Sequence, residues 1–276
     1  MKSSNMKLSF ATLGCPGWNL EQIADQALAM GYDGVELRGV QGEHIGPGET
    51  PGELSRIKKI FEDRGLDIAC IMGYSRFTWA DEKQRAEEIS KALTMLELAG
   101  AVGCPLLRVF GGKMEGGDRE ANIARVVECL GILAPSARKL GVQMALETHD
   151  DWCRGENLSA VLRSVDDPAL GVCWDVANSH FVEPLEKTFD ALKDRLCHVH
   201  LKDAAKLNGK EVGRLPGTGE VDLRKAMKIL AGAGYDGYLS FEWEKKWQPD
   251  IEEPEVAFPA YIRYVRGLME EFPVRR

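Results

Sequence analysis

The chain has 276 residues, of which 44% are hydrophobic and 28% are charged, as in an ordinary soluble globular protein. Its net charge of −8 argues against a nucleic-acid partner, because phosphate backbones are met by basic surfaces. No apolar run approaches the roughly 20 residues that cross a bilayer, so we expect no membrane partner.

The seven cysteines are odd in number and form no CxxC pair. This pattern favours reduced thiols over a disulfide framework, and we therefore expect a cytoplasmic protein. Met6 offers a second possible start, so residues 1–5 are predicted to form a loose tail. No linker or change in composition divides the sequence, and we predict one domain over residues 1–276.

Eight short apolar segments alternate with longer helix-like segments along the chain. They begin at Leu8, Gly34, Leu66, Pro105, Val142, Leu170, Cys197 and Tyr238. Alternation of this kind is typical of βαβ units in a parallel sheet, and eight units close a barrel. We predict the α/β class and a single (β/α)8 TIM barrel. The rival, a doubly wound open sheet, would normally carry a GxGxxG turn after the first strand, and none is present.

Helix signals lie between these segments. Asn19 is predicted to open the first helix and Gly31 to end it, and Thr50 is placed to cap the second. Pro135 falls inside the fourth helical segment and is predicted to break or kink it. A long polar loop is expected from residue 204 to residue 220, after the seventh strand.

Side chains of the last four strands show a regular alternation. Because successive strand residues point to opposite faces, large apolar side chains fall toward the helices and small or polar ones toward the barrel interior. Four inward positions at the carboxyl ends of these strands carry Glu147, Asp175, His200 and Glu242. The carboxyl-terminal rim is where barrel enzymes place their chemistry, so we predict one polar layer there.

Three buried carboxylates in one layer repel each other unless a cation lies between them. Oxygen and imidazole donors without thiolates suit one divalent ion, with Mn2+ expected first and Mg2+, Co2+ or Zn2+ as alternatives. The other interpretation is that these four residues end their strands in separate salt bridges.

Several segments resemble the xylose isomerase-like barrel superfamily, which includes ketose 3-epimerases, hydroxypyruvate isomerase and inosose dehydratase. The resemblance is carried by LETH at residues 146–149, CWDVAN at 173–178, HVHLKD at 198–203 and the pair Phe241-Glu242. It implies that the four rim residues are metal ligands. It also implies that Glu147 and Glu242 are the catalytic acid/base pair.

The resemblance implies an enzyme, a divalent-metal-dependent isomerase or epimerase of a small sugar or sugar phosphate. The chemistry would be proton transfer through a metal-stabilised enediolate. Two alternatives stay open. A dehydratase or lyase could use the same metal site, and a non-catalytic sugar-binding protein would bind without exchanging any substrate proton.

Further residues are candidates for substrate binding. Arg38 and Arg108 occupy inward-facing positions at strand ends and could bind substrate oxygens or a phosphate. Alternatively, each forms a structural ion pair with Glu36 as the partner. Asn178 stands where many relatives carry His, and His180 follows it. The complete set is His149, Arg108, Arg38, Asn178, His180, Arg214 and Trp18. A homo-oligomer is possible, since the apolar segment from residue 257 to residue 269 could dock on the barrel or on another subunit.

Overall fold

A computed structural model describes residues 6–274 as a closed barrel of eight parallel strands, which confirms the predicted TIM barrel. The tail predicted at residues 1–5 lies outside the described residues. The barrel strands are β1 Lys7–Ala11, β2 Gly34–Arg38, β3 Asp67–Arg76, β4 Leu106–Phe110, β5 Gln143–Glu147, β6 Leu170–Asp175, β7 Leu196–His200 and β10 Tyr238–Phe241. Strand β10 pairs with both β1 and β7 and so closes the barrel.

Helices surround the barrel and connect its strands. They are α1 Leu20–Met30, α2 Pro51–Glu62, α3 Glu82–Val102, α4 Arg119–Leu140, α5 Gly155–Val165, α6 Val176–His180, α7 Leu185–Leu192, α8 Leu223–Gly232 and α9 Pro254–Glu271. Asn19 and Thr50 each cap a helix as predicted, and Gly31 ends α1 in the left-handed region. Within residues 6–274, no helix is both long and apolar enough to cross a membrane.

Helix α4 continues through Pro135, so the predicted break does not occur. Apolar residues on both sides of the proline, among them Leu130, Leu133 and Ala137, are buried against the barrel. Tertiary packing of one helix face therefore overrides the local cost of proline.

The segment expected to be a loop after β7 contains a β-hairpin instead. Strands β8 Asp203–Leu207 and β9 Lys210–Arg214 pair antiparallel around Asn208-Gly209. Both turn residues have positive φ, the conformation of a two-residue hairpin turn, for which Asn-Gly is the strongest sequence signal. That signal was in the sequence, and the loop prediction was wrong.

Helix α9 packs on the strands that close the barrel. The ring of Phe258 stacks on Phe10 of β1 with centroids 4.2 Å apart, and Tyr261 stacks on Phe241 of β10 at 4.3 Å. The apolar C-terminal segment therefore packs on its own barrel, which is one of the two alternatives that we expected from its composition. This contact fixes β10, which ends one residue before Glu242.

Candidate metal centre

The four predicted rim residues converge at the carboxyl ends of adjacent strands. Glu147, Asp175 and His200 are the last residues of β5, β6 and β7, and Glu242 directly follows β10. One donor atom from each lies within 4.8 Å of every other, and all four side chains are buried. We call these four residues the rim cluster.

His200 lies in the middle of the rim cluster. Its Nδ1 atom is 3.2 Å from Oε1 of Glu147, 3.5 Å from Oε2 of Glu242 and 3.8 Å from Oδ2 of Asp175. One ring nitrogen therefore faces all three carboxylates, which is the arrangement of four donors around a common point.

Two fixed cations flank the rim cluster. The guanidinium of Arg108 donates to Oε2 of Glu147 at 2.9 Å. The ammonium of Lys202 donates to Oε2 of Glu242 at 2.7 Å and lies 3.0 Å from Oδ2 of Asp175. Each carboxylate of the cluster thus has one oxygen beside a cation, and the cations oppose the mutual repulsion of the acids.

The other ring nitrogen of His200 meets a fourth carboxylate. Its Nε2 lies 3.1 and 3.2 Å from the two oxygens of Glu36, which also accepts from Ser240 at 2.7 Å and lies 3.3 Å from Nε2 of His198. The expectation that Glu36 pairs with Arg38 or Arg108 is therefore wrong. Its position on β2, across the barrel from β7, brings it to the histidines instead.

The pKa values of the acids separate because their neighbours differ. Burial raises the pKa of Asp175 to about 7, and Lys202 only partly opposes it. Burial acts in the same direction on Glu147, but Arg108 and His200 bring the pKa of Glu147 below its usual value. Lys202 and His200 hold the pKa of Glu242 well below its usual value against the same burial effect. The pKa is thus lowered for Glu147 and Glu242 and raised for Asp175.

A divalent cation fits this donor set. Four carboxylates, including Glu36, surround Arg108, Lys202 and His200 in a region that is at most 5% exposed, so the acids outnumber the bases. Among the described residues, Oδ2 of Asp175 is a buried atom without a hydrogen-bond partner. Carboxylate and imidazole donors without thiolates are typical of Mn2+, Mg2+, Co2+ or Zn2+ sites with open positions.

The two arginines proposed for substrate binding have structural partners. Arg108 is 1% exposed, pairs with Glu147 and lies 4.0 Å over the ring of Phe110. Arg38 pairs with Glu43 and donates to the hydroxyl of Tyr74. Each arginine thus forms the ion pair that was one of its two interpretations. The partners are Glu43 and Glu147, and not Glu36 as expected.

His149 and Asn178 lie next to the rim cluster. The His149 ring packs on Phe110 at 4.4 Å, beside the arginine that holds Glu147. The side-chain amide of Asn178 donates to the carbonyl of Thr148 at 3.0 Å, and its backbone N–H donates to Asp175 at 2.9 Å. Asn178 therefore ties α6 to β5.

Three other predicted residues lie farther along the rim. His180 ends α6 with its ring edge against Phe181. Trp18 packs edge-on against Phe258 and lines a surface cleft with His44. Arg214 ends β9 of the hairpin, and among residues 6–274 it makes no hydrogen bond or ion pair with the rim cluster.

Lys202 is the main residue that the sequence interpretation left without a role. It is 5% exposed and contacts two members of the rim cluster, Asp175 and Glu242. Its position two residues after His200 gives it the same inward parity, so the alternation rule extended by one step would have found it.

Comparisons with known proteins agree with this geometry. A sequence model described as "Xylose isomerase-like TIM barrel" matches residues 24–266. A fructoselysine 3-epimerase of Escherichia coli O157:H7 is 24% identical over 96% of this chain and 99% of its own length. An inosose dehydratase of Klebsiella pneumoniae (strain 342) is 24% identical over 97% of this chain and all of its own length. Among solved structures, the IOLI protein with a bound zinc atom superposes with a TM-score of 0.82 at 19% identity, over 97% of this chain and 99% of that one, and this likeness shows the fold.

Proposed function

This chain belongs to the xylose isomerase-like TIM barrel family, and we propose that it is a divalent-metal-dependent isomerase or epimerase of a small sugar or sugar phosphate. The observation that carries the proposal is the convergence of three carboxylates and one imidazole within 4.8 Å at the catalytic rim of the barrel. The curated relatives named above are enzymes, an epimerase and a dehydratase, and both match nearly the whole chain.

Glu147, Asp175, His200 and Glu242 would hold the ion, with Mn2+ expected. When bound, the ion supplies Lewis-acid stabilisation of negative charge on a substrate oxygen. The remaining work is proton transfer at a carbon next to a carbonyl, and it falls to carboxylates that are ionised at neutral pH. Glu147 and Glu242 meet that requirement, whereas Asp175 has a pKa of about 7.

The two glutamates are not equivalent. Glu147 is fully buried and Arg108 holds its Oε2, while Glu242 is 5% exposed and lines a cleft of about 10 Å3 between the rim and the hairpin. That volume is the space of about one water molecule, so a sugar fits only when the cleft widens. A substrate that enters through the cleft would therefore contact Glu242 first. Glu147 would contact it from the barrel interior.

A dehydratase on the same site is the second candidate, favoured by the match to an inosose dehydratase over 97% of this chain. It would begin with the same proton removal and end with loss of a β-hydroxyl group. The two functions differ in whether the product keeps its oxygen atoms.

The test is to incubate the Mn2+-loaded protein with ketoses, aldoses, their phosphates and inososes in deuterated water, and to follow the C–H signals by NMR. Deuterium in one recovered or rearranged compound supports the isomerase or epimerase, and an unsaturated product or its keto form supports the dehydratase. Binding of Mn2+ and sugar without exchange in any compound would contradict both and favour a sugar-binding protein.

A further inference from the structure

The hydrogen bonds around Glu36 are unusual for an acid that no expected reaction step uses. Its carboxylate is fully buried on β2, and three donors from strands β7 and β10 converge on it: Nε2 of His200, Nε2 of His198 and the hydroxyl of Ser240. A buried carboxylate is tolerated only when its charge and lone pairs are satisfied. These donors satisfy it without an ion of its own.

Glu36 decides which nitrogen of His200 is available to a metal. Each oxygen of Glu36 lies within 3.2 Å of Nε2, so this nitrogen carries the proton of the hydrogen bond. A protonated ring nitrogen cannot bind a metal ion. Nδ1 faces Glu147, Asp175 and Glu242, and in the metal-free protein it shares a proton with Oε1 of Glu147 at 3.2 Å. A bound ion would take the place of that proton, which leaves Nδ1 as the ligand atom.

We propose that Glu36 is the positioning residue of the metal centre: it accepts the Nε2 proton of His200, fixes the ring and directs Nδ1 at the ion. This inference rests on the proposed metal-dependent function. Carboxylates that orient a ligating histidine in this way typically change metal affinity by about 10–100-fold when they are removed. The alternative is a second ion held by Glu36, His198 and His200, whose donor atoms also lie close together. The number of ions bound per chain separates these two arrangements.

The first experiment is titration calorimetry with Zn2+ on the wild type, Glu36→Gln and Glu36→Asp. We expect one ion per chain in the wild type, about 10–100-fold weaker binding in Glu36→Gln, and partial recovery in Glu36→Asp, which keeps the charge. Glu43→Gln is the matched control, because Glu43 is a rim carboxylate paired with Arg38 and Lys246 and has no contact with His200. Affinity within threefold of wild type in Glu36→Gln, or two ions per wild-type chain, would overturn the proposal.

The second experiment does not depend on activity or on folding of a variant. In protein with 15N-labelled histidine, NMR of the Zn2+-loaded form should show the proton of His200 on Nε2 and the metal on Nδ1. The opposite assignment would overturn the role of Glu36. If the wild type binds no divalent ion, the proposed function fails, but the Nε2 proton shared with Glu36 is still observable in the metal-free protein and decides the hydrogen bond separately.

Discussion

The ammonium nitrogen of Lys202 lies 3.0 Å from Oδ2 of Asp175, an oxygen that has no hydrogen-bond partner within residues 6–274. The contact is thus an ion pair without hydrogen-bond geometry. The ammonium group compensates the negative charge of Asp175. Because it forms no hydrogen bond to Oδ2, the lone pairs of this oxygen can still bind another ligand. Lys202 consequently stabilises the metal-free cluster and competes with a cation for it.

Replacing Lys202 by Met should separate these two effects. In the metal-free protein, loss of one partner of a buried pair is expected to lower the free energy of unfolding by about 3 kcal/mol. Divalent affinity is expected to rise about tenfold, because the ion no longer competes with an ammonium group. Urea denaturation in chelator and calorimetric titration measure the two quantities. Lys206→Met, on the exposed part of the hairpin, should change neither. Weaker metal binding in Lys202→Met would contradict the competition.

Replacing either acid of the proposed pair by Gln should remove proton exchange. We expect the rate of deuterium incorporation into substrate to fall about 10²–10⁴-fold in Glu147→Gln and in Glu242→Gln, since an amide cannot accept the substrate proton. Metal content, measured on the same samples, separates lost proton transfer from lost metal. Glu220→Gln, on the exposed segment after the hairpin, should exchange at the wild-type rate. Full exchange in either cluster variant would remove that residue from the acid/base role.

Arg108→Met should shift the pH dependence of the reaction upward. Burial raises the pKa of Glu147, and Arg108 is the largest influence that lowers it. Without the guanidinium the carboxylate form is reached only at higher pH, so the acidic limb of kcat/KM should move up by about one pH unit or more. Arg108→Lys, which keeps the charge, should move it less. An unchanged acidic limb would show that Glu147 does not set it.

Glu183 should contribute pH-dependent stability although it is not a member of the rim cluster. Its buried carboxylate accepts from the N–H of Gly155, at the start of α5, and from the hydroxyl of Thr188, and it pairs with Lys187. Burial raises the pKa of Glu183, but these partners lower it below its usual value. We expect Glu183→Gln to lose about 1.5–3 kcal/mol of unfolding free energy at pH 7, as for a hydrogen-bonded charge.

The sign of the pH effect follows from that lowered pKa. The contribution of Glu183 is fully present above the unfolded pKa of about 4.3 and is lost as the pH falls through the folded value. The unfolding free energies of wild type and Glu183→Gln should therefore converge as the pH falls below about 4.3. Glu186→Gln, an exposed neighbour paired with Lys225, should follow the wild type throughout. A difference that stays constant with pH would mean that the charge of Glu183 is not the cause.

The rim cluster was predictable because two local rules act together. Strand side chains alternate with period two, and the carboxyl ends of parallel strands meet at one edge, so Glu147, Asp175 and His200 were expected to meet before any contact was known. The same rules placed Glu242 at the carboxyl end of the last strand, and in the structure it is the residue that follows β10. The helix caps at Asn19 and Thr50 were predictable for a similar reason, since each depends on residues within one turn.

The sequence by itself therefore determined the eight strands, the barrel and the four candidate ligands, because each follows from periodicity over a few residues. Only the tertiary structure decided which charged side chains form ion pairs. The pairs are Arg108 with Glu147, Lys202 with Asp175 and Glu242, and Glu36 with His200. These pairs join strands up to 164 residues apart. Their partners depend on barrel closure and on the reach of long side chains, and local alternation specifies neither of these.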